Sequence, residues 1–408
     1  MSDQYEPIVR ELYKMIYDDE HKDWEKDFAQ GIGTAFDAAK IDLLEAQIYR
    51  GKTDSETVTS FLDFCNRYVK WIPHTTSARD EPLWMLSVFY FVFDQKGIVE
   101  KQSKITPEQI GNSTELSKWL RKYANSLGEW MDTKASAQLI STFRERAEYT
   151  VFEYEDTNWK TFNEFFSRKV KPEYRPISPK NTVASPCDAK FDGFWEIKNG
   201  KVNLPNKTVN FKGIDWPIEK LLNDTGDTRK MFDNGIFMHG FLLTNNYHRV
   251  HAPVSGKVVD RQKIPGNVYL EVTADKKNQV LLPPPRRIQP RGDSIPDDVK
   301  AQDYAGYQWN QVRGMWIIDT TGSGDIDIGH VALFAVGMAQ VSSVNWGKDT
   351  PGAPGTQVKK GEELGWLKYG GSDYILLFEK DKVHFDENCP QKGTLYLQGT
   401  ALVSAQKT

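Results

Sequence analysis

The sequence predicts an α+β protein, with an N-terminal helical domain over residues 1–160 and a β-rich, sandwich-like domain over residues 161–408. Three observations predict this. Apolar residues of the first part recur at helical spacing. From about residue 180 that period fades, and short β-type runs separated by glycine and proline replace it. Between them, Lys171-Pro172-Glu173-Tyr174-Arg175-Pro176 carries two prolines that end any helix.

The first helix is read from Ile8, Val9, Leu12, Tyr13 and Ile16. Ile41, Leu44 and Ile48 continue the period in a second segment that ends at Gly51. Thr53 and Glu56 have the spacing of a capping box. They open a third segment with Val58, Phe61, Leu62, Cys65 and Val69 on one face, closed by Pro73. The apolar run Leu83–Phe93 is too short for a bilayer span, which needs about 20 residues, and is expected to be buried as a helix or strand. The aromatics Trp84, Phe89, Tyr90 and Phe93 are read as core, and 114–131 and 136–148 as further helices. His21 and His74 are isolated and read as structural.

Strands are expected over Phe191–Ile197, Lys257–Val259, Val268–Val272, Met315–Ile318, Val331–Val336 and Ile375–Phe378. The proline-rich stretch from Leu282 through Pro283-Pro284-Pro285 to Pro290 and Pro296 reads as an extended surface loop.

Composition narrows the function. Charged residues make up 26% and the net charge is -4, so no basic face for nucleic acid is implied. Cys65, Cys187 and Cys389 are widely spaced and form no disulfide framework or zinc pattern. No secretory signal or transmembrane segment is visible, and the expected location is cytoplasmic.

Candidate chemistry lies in three islands of the second half. They are Ala184-Ser185-Pro186-Cys187-Asp188-Ala189, then Asn246-Tyr247-His248-Arg249-Val250-His251, then Lys368-Tyr369-Gly370-Gly371-Ser372-Asp373-Tyr374. The last admits two readings. One is a glycine turn that feeds a buried strand. The other is a self-cleaving bond, in which Ser372 attacks the carbonyl of Gly371, a residue with no Cβ to crowd it. A serine needs a base, and a histidine oriented by an aspartate supplies one, so Asp188, His251 and Ser372 form a candidate triad. His248 and His251 would share a helical face for a metal, but the Ala-Pro-Val-Ser-Gly that follows suggests a loop, no third ligand is evident, and no metal is expected.

These islands resemble a known family. Tyr247-His248-Arg249-Val250-His251-Ala252-Pro253-Val254-Ser255-Gly256 is similar to the Tyr-His-Arg-x-His-x-Pro-x-x-Gly signature of phosphatidylserine decarboxylases. Phe165-Phe166-Ser167-Arg168-Lys169-Val170-Lys171-Pro172 with Arg175-Pro176-Ile177 is similar to the family's opening motif, and Ser185-Pro186-Cys187-Asp188 to its Ser-Pro-Ala-Asp element. Gly361-Glu362-Glu363-Leu364-Gly365 to Ser372 is similar to the segment that leads into its Leu-Gly-Ser-Thr cleavage site. The likeness covers about residues 160–385 in the family's order.

The resemblance implies a lyase made as a zymogen. Asp188 and His251 would activate Ser372, and autocatalytic cleavage between Gly371 and Ser372 would leave associated chains of 371 and 37 residues. Ser372 would become a pyruvoyl group, which forms a Schiff base with a substrate amine and withdraws electrons as CO2 departs. His248 is the candidate proton donor, with a structural role as its alternative. Two positions depart from the family: Gly370 stands for its leucine and Asp373 for its Thr or Ser. A carboxylate next to the nucleophile disfavours a developing oxyanion, which points to slow or absent processing.

For the substrate, Phe64-Cys65-Asn66-Arg67-Tyr68-Val69-Lys70-Trp71-Ile72-Pro73 and Phe89–Gln95 resemble the domain fused to a soluble branch that includes fungal tryptophan decarboxylases. That likeness implies a free, aromatic L-amino acid, with phosphatidylserine as the alternative. An unprocessed pseudoenzyme, or a binding module, is the reading of another class. Ala252–Val258 with Val358–Glu362 is similar to strands of biotinyl and lipoyl carrier domains, yet no hairpin presents a lysine for modification.

Overall fold

Capping and apolar periodicity set the first half of the chain. The computed structural model describes residues 4–77, 79–204, 214–223, 227–282, 306–338, 344–348, 350–385 and 390–406. Its helices begin with α1 (Pro7–Tyr17), α2 (Trp24–Ala38), α3 (Lys40–Glu45), α4 (Asp54–Tyr68), α5 (Glu81–Phe93), α6 (Glu115–Met131), α7 (Ser141–Arg144) and α8 (Phe162–Phe166). α1 buries Ile8, Val9, Leu12 and Ile16. Thr53 caps α4 by accepting from the Glu56 amide at 3.2 Å, while Glu56 reaches back to the Lys52 amide at 2.6 Å. The apolar run is a helix, and Met85–Phe93 is buried throughout.

Two helical expectations are corrected. Ile41 and Leu44 are 55% and 50% exposed, and the burial of that region falls on α2. Small residues allow α2 its close approach: a Cβ on Gly31 would lie 2.6 Å from Ile98. The 136–148 stretch yields only α7 and short 3-10 turns.

The second half opens with β1 (Thr182–Ala184), β2 (Ala189–Lys198), β3 (Lys201–Leu204) and β4 (Ile214–Pro217). α9 (Ile218–Leu222), α10 (Asp227–Phe232), β5 (Ile236–Leu242), β6 (Arg249–His251), β7 (Gly256–Ile264), β8 (Ala274–Asp275) and β9 (Val280–Leu281) follow. After α11 (Tyr307–Asn310) come β10 (Arg313–Asp319), β11 (His330–Met338), β12 (Val344–Asn345), β13 (Gln357–Val358) and β14 (Glu363–Leu367). The last are β15 (Gly371–Phe378), β16 (Val383–His384), β17 (Leu395–Tyr396) and β18 (Ala401–Ala405).

Among the described residues, a ten-stranded sheet runs β13-β7-β10-β11-β15-β5-β2-β3-β4, with β17 also on β2. Two three-stranded sheets, β12-β14-β6 and β1-β18-β16, accompany it. β15 is central, antiparallel to β11 on one side and to β5 on the other, and all of it is buried. Side chains alternate across it as the pleat requires. Tyr374, Leu376 and Phe378 join the core with Trp316 and Leu333, while Ile375 and Leu377 join the opposite core with Phe237 and Phe334.

Val268–Val272 is not a strand. Val268, Leu270 and Val272 instead pack as irregular chain into the helical core. Met338, Tyr307 and Tyr369 join that same core, so it reaches the start of β15. The expected proline-rich loop lies, from Pro283 to 305, outside the described residues. So does Cys389, whereas Cys65 and Cys187 are free and buried. Among the described residues no helix is long and apolar enough to cross a membrane.

Candidate active site

The Gly371–Ser372 bond lies at the first step of the central strand. Gly370 just before it has φ +144°, a conformation that suits glycine, which accounts for glycine where the family has leucine. Ser372 is fully buried and faces Gly337 on β11 and Leu242 on β5. Gly337 has no side chain, so the serine has no cross-strand side chain from β11 beside it. Ser372 Oγ has no hydrogen-bond partner among the described residues. A buried hydroxyl without a partner is destabilising, and such groups mark sites with another task.

The segment before the bond is strapped to the helical half. The Tyr369 amide donates to Asn163 Oδ1 at 3.1 Å, and its hydroxyl donates to the Pro82 carbonyl at 2.9 Å. Lys368 pairs with Asp132. The Tyr369 ring meets Phe166 edge-on, with centroids 5.7 Å apart. Phe166 in turn stacks on the His248 ring at 4.0 Å.

His248 is fully buried, and its Nε2 donates to the Leu243 carbonyl at 2.9 Å. That anchor is one residue beyond Leu242, the partner of Ser372. His251 ends β6, which pairs with β14 on the approach to the cleavage segment. Its Nδ1 lies 2.8 Å from the Gly361 carbonyl and therefore donates. Its Nε2, 2.9 Å from the Tyr247 hydroxyl, accepts. Burial is the main cause that lowers the His251 pKa, to about 4, so the ring is neutral near pH 7.

Asp188, in the turn between β1 and β2, accepts a two-pronged pair from Arg175, Nε at 2.9 Å and Nη2 at 2.6 Å. The Gln398 amide adds a third bond at 2.8 Å. Arg175, Gln398, Tyr247, His251 and Gly361 line one cavity of about 400 Å3. The expected Asp188–His251–Ser372 hydrogen-bond relay is therefore not formed in the uncut chain. Arg175 takes the carboxylate, and the phenol and a carbonyl take the imidazole. His248 Nε2 and both ring nitrogens of His251 are likewise held by protein groups.

Sequence reasoning missed a second cluster. Asp373 points to the face of β15 opposite Ser372. It accepts from the Tyr307 hydroxyl at 2.7 Å and lies 3.3 Å from His239 Nε2. His239 Nδ1 lies 3.0 Å from Asp192, and all three titratable side chains are fully buried. Burial alone pushes His239 toward its neutral form, but the Asp373 and Asp192 carboxylates outweigh it and raise its pKa to about 9. The Asp373 carboxylate beside the nucleophile therefore faces His239 and Tyr307 and not Ser372. The signal that would have found this cluster is a histidine and an aspartate inside apolar strands, Ile236–Leu242 and Ala189–Lys198.

A buried serine after two glycines, two anchored histidines and a clamped aspartate are thus set on the β-rich half of the chain. Comparison with known proteins gives the family. The phosphatidylserine decarboxylase family profile matches residues 162–404, and the chain belongs to that family. A phosphatidylserine decarboxylase proenzyme of Psychromonas ingrahamii is 27% identical over 321 residues, covering 74% of this chain and 97% of its own length. One of Brevibacillus brevis is 27% identical over 266 residues, 62% of this chain and 82% of its own. One of Fusobacterium nucleatum is 30% identical over 265 residues, 64% and 74% respectively.

Proposed function

We propose that the chain is a self-processing decarboxylase that cuts itself between Gly371 and Ser372 and removes CO2 from phosphatidylserine, giving phosphatidylethanolamine. The observation that carries the processing step is Ser372 Oγ, buried and unpartnered at the head of the central strand. The names of the relatives favour the phospholipid over the free aromatic amino acid expected from the N-terminal segments.

His251 is the proposed base. Its neutral state supports that role, since only an unprotonated imidazole accepts the serine proton. Its Nε2 must first leave Tyr247. Ser372 Oγ then attacks the Gly371 carbonyl, the C–N bond breaks as the freed amine takes the proton held by His251, and the acyl group passes to oxygen; β-elimination of that ester releases the Gly371 carboxylate and leaves a dehydroalanine, which water hydrolyses to the pyruvoyl group with loss of ammonia. Asp188 acts through its fixed position beside His251, whose charged form it favours. A pyruvoyl group at position 372 supplies an electron-withdrawing carbonyl for the loss of CO2. The site fits it: Gly337 on β11 leaves space beside residue 372, whose serine side chain is tied to no hydrogen-bond partner among the described residues. His248, anchored on Leu243 and stacked on Phe166, is the proposed proton donor to the product carbon. After the cut, β15, β17 and β18 retain their pairings with β11, β5, β2 and β1, which supports two chains that stay associated.

Intact mass of the purified protein beside Ser372→Ala tests the processing. Fragments split at Gly371–Ser372 in the wild type alone, the smaller one blocked at its N-terminus, are expected; a wild-type chain that stays whole removes the proposal. Processed enzyme is then given phosphatidylserine vesicles and free tryptophan in parallel. Turnover of tryptophan alone would overturn the phospholipid assignment and restore the amino-acid reading.

A further inference from the structure

Across the sheet from Ser372, α6, α9, α11 and the β7 and β10 ends enclose a cavity of about 740 Å3. Lys118 and Arg121 of α6, Lys220 of α9 and Arg313 of β10 line it, against Glu219 as the one acidic residue among its described lining. None of these four basic groups forms an ion pair among the described residues. Arg313 is buried and its guanidinium meets only carbonyls: Leu221 at 2.9 Å, Trp309 at 3.1 Å, Gln311 at 2.9 Å and Lys220 at 2.8 Å. Burial with no counter-charge pushes its pKa down.

The second observation is Asn310. It is 7% exposed, and both its Oδ1 and its Nδ2 lack a hydrogen-bond partner among the described residues. A buried amide with both ends unmet is rare unless something else meets it. Here it lines the same cavity as the unpaired cations.

We propose that this cavity binds a phosphate group, carried by a small soluble ester or by a lipid headgroup. Basic groups from three separate elements converge on it, as suits a multiply charged anion with several acceptor oxygens. The Asn310 amide donates to one of those oxygens and offers an acceptor to a hydroxyl on the ligand. The site is distinct from the cleavage bond, and the proposal stands whether or not the chain processes itself.

Calorimetric titration of the full chain, repeated on Ser372→Ala, tests it. The probes are inorganic phosphate, glycerol 3-phosphate, and phosphatidylcholine vesicles with and without phosphatidic acid. Saturable binding of phosphate and glycerol 3-phosphate is expected, weakened about tenfold or more by Asn310→Leu and by the exposed pair Lys118→Glu with Lys220→Glu. Glycerol phosphate without vesicle binding assigns a soluble source; phosphatidic acid vesicles that bind more tightly, and lose it in the same variants, assign a lipid. Asn310→Leu is expected to keep or raise Tm, because it removes two unmet polar atoms. No saturable binding at millimolar probe, or binding unchanged in both variants, overturns the site.

Discussion

Two buried histidines of the β-rich half stand in opposite states. His239 lies between the carboxylates of Asp192 and Asp373 and is held protonated, its pKa raised to about 9. His251 lies between a carbonyl and a phenol and is held neutral, its pKa lowered to about 4. Burial opposes charge on both rings. Only His239 has counter-charges in contact that outweigh it. The difference teaches which ring can do chemistry. An imidazolium pinned by two carboxylates has no lone pair to offer, while a neutral ring joined to a phenol does.

The contrast breaks most clearly at the proposed base. His251→Ala is expected to slow self-cleavage by ~10²–10⁴-fold, while the chain stays folded. A time course of intact mass checks it, and cleavage at the wild-type rate would refute the role. His239→Ala leaves two buried carboxylates without their cation and is expected to lower stability by ~3–5 kcal/mol. Urea unfolding of that change in a Ser372→Ala background measures it without interference from processing.

The two rings also predict opposite pH limbs for the uncut chain. His251 has a depressed folded pKa, so its contribution is complete above pH 6.5 and is lost as pH falls toward about 4. That limb amounts to about 3 kcal/mol. His239 has a raised folded pKa, so its contribution is complete below pH 6.5 and is lost as pH rises through about 9. Thermal melts across pH should show both limbs. His251→Gln should flatten only the acid one. Asp373→Asn should move the alkaline one to lower pH, because it removes one counter-charge.

The smallest effect sharpens the same comparison. Tyr247→Phe frees His251 Nε2 and removes a bond worth ~1 kcal/mol, so self-cleavage is expected to speed up about fivefold. Its pH midpoint should also rise. A slower reaction would show that the phenol helps the base instead of holding it back.

Much of this molecule is legible in its sequence. The burial of α1, the cap on α4 and the run that becomes β15 follow from local chemistry: side-chain period, a Thr–Glu spacing, glycines before an apolar strand. α2 was not legible, because its small residues matter only through what packs on them. Val268–Val272 has strand composition, yet the helical core claims its side chains and no strand partner is supplied.

By itself, then, the sequence determined an α+β chain, its motif order, and a serine after glycines at the head of an apolar strand. It also determined membership of the decarboxylase family through those motifs. Tertiary structure alone decided the partners: Arg175 on Asp188, Tyr247 and Gly361 on His251, and Asp192 with Asp373 around His239. The physical reason is that charge state depends on groups within a few ångströms. Those groups come from strands such as β2, β5 and β15, which only the sheet register sets side by side.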